Sequence, residues 1–470
     1  MSAFEKNKKE GFSRIGLTLL LPFIILVTVY AVYKLFFIPD PVVSGLDGFD
    51  FLSAEKTVRL GTENITSIDI SVYQKGKKAV LLKDTPEITE KIYTLEIKPK
   101  DLGLTDGRAI VTVKAKSGLL KKVQYDIEAV IDTVPPAIEV LKSPSFIYQG
   151  SAGFALLRAA GADSVFVKLV ARQEEGRQER TFKAFKVSEE TNPEAVRSPK
   201  PETGSQKIIS RSRKQHFEDY YVLFPAPLDI GEGGTYYAVA GDIAGNRKIK
   251  ALSTRIRTKK YKTSSINIDD SFITGVLSPL LNEINISDPV TAFKKVNEEW
   301  REKSLKSLMK IARNTGPEIL WEGRFLQLKN SKVMAAYGDK RTYFYKGKEI
   351  SKSVHLGYDL ASFAHAPVEA ANTGIVRFAG DLGIYGNAVV IDHGIGLMSL
   401  YGHLSMIMVK EGQAVKKGGI IAKTGSSGLA GGDHLHFGVL IHGYEVSPLY
   451  WWDPDWIKIN MPAIKDQNYY

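Results

Sequence analysis

Cysteine is absent from all 470 residues. That excludes disulfides and thiolate metal sites, so a metal centre in this chain has to use His, Asp or Glu. It leaves the redox compartment open. Histidine is scarce as well, with 8 in the whole chain. No basic run alternates with aromatics in the manner of a nucleic-acid surface, and nucleic acid is not expected as a partner. A phosphate loop is also missing, because the glycine-rich "GSSGLAGG" (425–432) lacks the Lys-Ser/Thr end such a loop needs.

What is present points to several domains. The length fits about three or four of them, and 44% apolar residues suffice for real cores. Lys and Arg number 63 against 52 Asp and Glu, a basic balance that either serves solubility or favours anionic polymers of a cell envelope. Residues 1–14 carry Lys6, Lys8, Lys9 and Arg14, and the run Ile15–Ile38 that follows has one charge, Lys34. About 20 apolar residues cross a bilayer as a helix, and positive charge ahead of the span keeps the N-terminus in the cytoplasm. A cleaved signal peptide has a shorter apolar core and a small-x-small cleavage site, and "YKLFFIPD" offers none. The reading is a cytoplasmic tail (1–14) and an uncleaved transmembrane helix (15–38), with the bulk of the chain outside.

Beyond the run the pattern changes to period two. "SIDISVYQ", "AIVTVKAK" and "VQYDIEAV" alternate Ile68, Ile70, Val72, then Val111, Val113, Ala115, then Val123, Tyr125, Ile127 with mostly polar neighbours. Half-buried strands at this spacing predict a β-sandwich over 44–133. Pro135 and Pro136 mark a stiff junction, and "SVFVKLVAR" and "TYYAVAGDIAGN" belong to a second β-sandwich over 135–258. The "D-x-x-GN" turn resembles a turn of bacterial immunoglobulin-like domains. A polar insert at about 187–216 reads as a mobile loop. A helical connector follows over 269–313. Asp288 is its N-cap candidate, Pro289 sits at the first turn, and Val290, Phe293, Val296 and Trp300 form one apolar face. This helix packs as a connector on the next domain or serves as a lid over a site.

Seven of the 8 histidines fall between 355 and 442, in a strand- and glycine-rich segment. "SVHLGYDLAS" holds His355 and Asp359, "LYGHLS" holds His403, and "GDHLHFG" holds His434 and His436. Alternate residues of a strand share a face, so His434 and His436 point into the same space. A hydrolytic zinc site takes three protein ligands and keeps one position open. His355, Asp359 and one of the two neighbouring histidines supply that set, and two histidines remain for proton transfer and oxyanion binding.

On "HLGYDLA", "APVEAANTGIVRFAG", "YGNAVVIDHGIGLMSLYGHLS", "VKEGQAVKKGGIIAKTGSSGLAGGDHLHFG" and "VSPLYWWDP", residues 335–452 resemble the catalytic domain of the lysostaphin/LytM-type zinc endopeptidases, which cut peptides in bacterial peptidoglycan. The resemblance implies an antiparallel β peptidase domain, set at 316–460, with a groove over Zn2+. It implies His355, Asp359 and His436 as metal ligands and His403 and His434 as the catalytic pair. Two positions depart from the family's usual pattern: Asp433 stands where Pro precedes H-x-H, and Gly438 where Glu often follows.

The combined expectation is a mainly β, multidomain, membrane-anchored zinc endopeptidase. It sits in a bacterial inner membrane with its catalytic domain in the periplasm, and it cleaves peptidoglycan cross-links. The alternative is a non-catalytic scaffold that activates another wall hydrolase. A third reading, compatible with the first, has residues 40–315 restrain the site until a regulatory partner releases it. A single-span anchor with the bulk of the chain outside resembles Gram-negative relatives, which points to the D-Ala–meso-diaminopimelate cross-link, with polyglycine bridges second.

Overall fold

The computed structural model describes residues 22–30, 32–33, 38–88, 90–118, 120–173, 176–187, 216–282 and 286–461. Most of the regular structure is strand, and the chain divides into two compact units. The first comprises Met1–Pro135 and Gly241–Arg247. It has a three-stranded sheet (Val42–Ser44, Lys56–Glu63, Lys91–Ile97) and a five-stranded one (Phe51–Leu52, Lys121–Ile131, Gly107–Ser117, Ser67–Gln74, Lys77–Asp84). Both feed one core, with Val58, Leu60 and Leu95 from the first sheet and Ile70, Val111 and Val113 from the second. The period-two pattern explains the division of faces: Val111 and Val113 are fully buried, whereas Ile110 is 48% exposed.

The second unit holds Pro136–Ala240 and Lys248–Tyr470. One four-stranded sheet is built from Phe185–Lys186, Phe217–Pro225, Ala152–Ala160 and Ala137–Lys142. Its two faces serve two cores. Val222 and Phe224 join Val167, Leu169 and Tyr236, while Leu223, Phe154 and Phe185 join Trp321, Phe325, Leu360, Tyr401 and Trp451. The second core is the floor of an eight-stranded sheet, antiparallel throughout, in which Leu435–Ile441 lies between Tyr358–Ala361 and Leu397–Gly402.

The helix at Pro289 begins as the sequence dictates. Asp288 accepts from the N–H groups of Val290 and Thr291, and Pro289 occupies the first turn. The helical path continues through a π-helical stretch, Lys295–Trp300, into Arg301–Ala312. Phe293 and Val296 are buried in a core with Tyr343, Leu382, Ile384 and Tyr385. Ser304 Oγ is 3.1 Å from Leu382 O and accepts from the Ile384 N–H at 3.2 Å. The helix therefore braces the turn at 382–385. Ahead of it, the strand Thr263–Ile268 pairs in parallel with Lys340–Tyr345.

The expected membrane span, 15–38, falls only in part among the described residues. There, no helix is long and apolar enough to cross a membrane. Residues 22–30 are helical and exposed. The remainder of Ile15–Ile38, apart from 32, 33 and 38, lies outside the described residues, as do the tail 1–14 and most of the polar insert, 188–215.

Two outcomes follow from this packing. Phe293→Ala, which removes a side chain only 1% exposed and in ring contact with Tyr343, should cost about 3–5 kcal/mol in urea unfolding. The second concerns His393, fully buried with Nδ1 2.7 Å from Thr373 O and Nε2 2.7 Å from Ser399 Oγ. Burial pushes its pKa down to about 4, against about 6.5 in the unfolded chain. Between those values the unfolded chain binds the extra proton, so stability is full above about pH 6.5 and falls as pH drops towards 4. Urea titrations across that range should show a slope up to about 1.4 kcal/mol per pH unit smaller in His393→Gln than in the wild type.

Candidate metal centre

Strand register assembles the site. Asp359 lies directly opposite His436 in the pairing of Tyr358–Ala361 with Leu435–Ile441, and Gly402 lies opposite His436 on its other side. His403 follows Gly402, and His434 precedes the strand in an isolated bridge to Gly425. Leu435 and Phe437 point the other way into the core at 2% exposure each. The two histidines thus share a face because their neighbours are committed to the opposite one. His355 is delivered by the turn after Lys348–Val354, where its N–H donates to Asp339 O at 2.9 Å.

Three atoms converge. Asp359 Oδ1 is 2.9 Å from His355 Nε2 and 3.0 Å from His436 Nδ1, and the two nitrogens are 3.2 Å apart. The proton positions follow from the partners. His355 Nδ1 is 3.0 Å from Ala336 O, and a carbonyl only accepts, so Nδ1 carries the proton and Nε2 offers a lone pair. His436 Nε2 is buried without a hydrogen-bond partner, while its Nδ1 faces the other two atoms. A tetrahedral zinc with bonds near 2.0–2.1 Å holds its ligand atoms about 3.3 Å apart. The donor set and its spacing therefore fit a zinc-sized cation. These residues are the group among the described residues that could hold a metal ion.

The other two histidines flank this cluster. His403 Nδ1 is 2.7 Å from Ser427 O, and His434 Nδ1 is 2.8 Å from Gly432 O. The same carbonyl argument puts a proton on Nδ1 in both and turns Nε2 of each towards the cluster. Their rings are 4.8 Å apart, and His434 Nε2 is 3.6 Å from Asp359 Oδ1. His403 sits at φ 61°, in the left-handed region, with its N–H on Tyr385 O at 2.7 Å. A side chain held in that region costs free energy that the surroundings must supply.

Burial and charge set the protonation states. Burial, then the neighbouring charges of His434 and His436, push His403 down to about 3. Burial pushes His436 down to about 4. Burial also works against a charged His434, but the facing Asp359 carboxylate outweighs it and raises that pKa, with a smaller push from Asp433. For Asp359, burial favours the neutral acid, yet the facing rings of His355, His434 and His436 hold the carboxyl well below its usual range.

Several residues of this site carry no signal in the sequence. Tyr385 is buried with its ring 5.1 Å from that of His436, and its hydroxyl is 3.2 Å from Glu445 Oε1. Burial pushes Glu445 up to about 7. Arg341 reaches Asp359 Oδ2 at 3.5 Å. Gly357 is required by close approach, since a Cβ there would lie 2.5 Å from His436 Nε2. Of the glycines in "GSSGLAGG", Gly425 packs against Ser405 and Gly428 has φ +73°, whereas Gly431 and Gly432 face open space. Asp433 accepts from Thr424 Oγ1 at 2.6 Å and from the His365 N–H at 3.1 Å, so it ties the 365 turn to this edge.

A family model described as Peptidase family M23 matches residues 353–448. The DD-carboxypeptidase/endopeptidase Mpg of Neisseria meningitidis serogroup B is 42% identical over 96 residues, 20% of this chain and 22% of that protein. The peptidoglycan DD-endopeptidase ShyA of Vibrio cholerae serotype O1 is 38% identical over 95 residues, 20% of this chain and 22% of that protein. The chain thus matches about a fifth of the length of these curated relatives. Among solved structures, the catalytic domain of the antimicrobial peptidase lysostaphin from Staphylococcus simulans is 29% identical, covers 27% of this chain and 96% of its own, and has a TM-score of 0.23. Placed on the geometry above, the match makes residues 353–448 a peptidase M23 domain of the lysostaphin/LytM type.

Proposed function

We propose that the protein is a zinc-dependent endopeptidase that hydrolyses peptide cross-links of bacterial peptidoglycan. It is held in the inner membrane by the apolar run 15–38, with its peptidase domain in the periplasm. The observation that supports the reading is the meeting of His355 Nε2, Asp359 Oδ1 and His436 Nδ1 beside two histidines whose Nδ1 atoms are held by backbone carbonyls. The anchoring rests on the length and flanks of the apolar run. The cross-link between D-Ala and meso-diaminopimelate is the proposed scissile bond, supported by the DD-endopeptidase named among the relatives. The residues ahead of the peptidase domain leave room for a regulatory protein partner.

His355, Asp359 and His436 would hold the ion. Bound zinc supplies a Lewis acid that polarises a carbonyl and makes water more acidic. The chain's own residues handle the protons. One of His403 and His434 takes the proton from the attacking water through Nε2 and returns it to the leaving amine. The other donates to the developing oxyanion. The C–N bond breaks, the water oxygen ends on the new carboxylate, and the amine departs with the transferred proton. The backbone carbonyls of Ser427 and Gly432 keep the Nδ1 proton on both rings, so the base accepts through a bare Nε2 and the oxyanion donor carries a second proton there.

The two histidines of "HLH" should separate these roles. His436→Ala should lose zinc and activity together, because two remaining protein ligands make a weak site. His434→Ala should keep zinc and lose turnover of cross-linked muropeptide by roughly 100- to 10,000-fold. Metal content per chain beside muropeptide digestion decides it. Full turnover in both variants would contradict the peptidase reading, and a zinc-loaded His436→Ala would contradict the ligand assignment. A wild-type protein that binds zinc and cuts no muropeptide would favour the scaffold alternative.

A second outcome concerns the ion itself. Removing the metal with a chelator should abolish muropeptide cleavage, and one equivalent of Zn2+ should restore it and raise the unfolding temperature. Cleavage that persists at full rate after metal removal would contradict the proposal.

A further inference from the structure

We propose that Arg341 is a positioning residue that makes Asp359 a one-oxygen metal ligand. We further propose that Asp339 and Ser264 hold Arg341 in place. The proposal rests on the reading of His355, Asp359 and His436 as a zinc site. It extends that site to a strand that lies ahead of the helical segment and outside the matched M23 residues.

The two oxygens of Asp359 face different partners. Oδ1 meets His355 Nε2 at 2.9 Å, His436 Nδ1 at 3.0 Å and His434 Nε2 at 3.6 Å. Oδ2 faces the Arg341 guanidinium, with Nη2 at 3.5 Å. A carboxylate free to rotate could offer both oxygens to a cation. One whose second oxygen is held by a guanidinium offers one, and outer partners of this kind orient metal ligands. Arg341 suits the task because its planar fork serves two acceptors at once. While Nη2 points to Asp359, Nε is 3.4 Å from Asp339 Oδ2.

Charge explains why Asp339 is there. The Arg341 side chain is 18% exposed and that of Asp339 is 6% exposed. A buried guanidinium beside a divalent cation would be repelled by it, and one metal-ligating carboxylate cannot neutralise both. Asp339 supplies the second negative charge. Asp339 Oδ1 in turn accepts from Ser264 Oγ at 2.8 Å, and its carbonyl accepts from the His355 N–H at 2.9 Å. Ser264 belongs to the strand Thr263–Ile268, aligned opposite Arg341 in its parallel pairing with Lys340–Tyr345. A single path thus runs from Ser264 through Asp339 and Arg341 to Asp359, and Asp339 also holds the backbone of His355.

A purely structural salt bridge would change folding and leave the ion's environment alone, so the test reads the metal. In the full-length protein, zinc affinity is measured by chelator competition for wild type, Arg341→Met, Arg341→Lys and Ser264→Ala. The cobalt(II)-substituted forms are examined by visible absorption, and thermal unfolding of the metal-free forms reports folding. Arg341→Met should weaken zinc about 10- to 100-fold and alter the cobalt bands as the second carboxylate oxygen swings in. Arg341→Lys keeps the charge without the fork and should fall between Met and wild type. Ser264→Ala should weaken zinc a few-fold. If Arg341→Met does not fold, Arg341→Lys decides alone. Wild-type zinc affinity and an unchanged cobalt spectrum in a folded Arg341 variant would overturn the proposal. A wild-type protein that binds no zinc would instead overturn the metal-site reading beneath it.

Discussion

Three lone-pair atoms within 3.2 Å of one another, in a site where the side chains are 14% exposed or less, are the constraint around which the peptidase domain is organised. Atoms of this kind repel unless a cation or shared protons lie between them, and burial removes the water that would screen them. Each surrounding feature limits their freedom. The carbonyl of Ala336 fixes the tautomer of His355. The missing side chain at Gly357 leaves the space that His436 occupies, and the guanidinium of Arg341 lies against the outer oxygen of Asp359. Rigidity of this sort lets a metal site keep one coordination geometry while substrate and products exchange.

The scaffold transmits that rigidity from far along the chain. Leu435–Ile441 is buried along its whole length and paired on both sides, so His436 cannot slip register without exposing Leu435, Phe437 and Val439. The turn that carries Tyr385 is braced by Ser304 of the helix, and the floor beneath the sheet includes Phe154 and Leu223 from the preceding module. The helix and that module are thus packed as structural support for the peptidase domain.

Strand alternation was legible because each strand residue answers to its own face. Ile70, Val111 and Val113 announced one core by spacing alone, and so did the shared face of His434 and His436. The cap at Asp288 was equally plain, since it depends on three neighbouring residues. Arg341 was not legible. It lies 18 residues from Asp359 in an unremarkable "KRTYFY", and only the folding of the chain between them brings the groups together. Tyr385 and Glu445 were hidden for the same reason, separated by 60 residues. The two-sided role of the sheet containing Phe217–Pro225 was hidden too, because "YYVLFP" is apolar on both faces and its letters do not say which core takes Leu223. The apolar run at 15–38 was legible as letters, and part of it lies outside the described residues.

The most direct test of the central claim is anomalous scattering at the zinc edge from crystals of the full chain grown with zinc. The account predicts one strong peak about 2.0–2.2 Å from His355 Nε2, Asp359 Oδ1 and His436 Nδ1, with His403 and His434 outside bonding distance. A peak held by His403 and His434 instead, or no peak at the three-residue cluster, would contradict it.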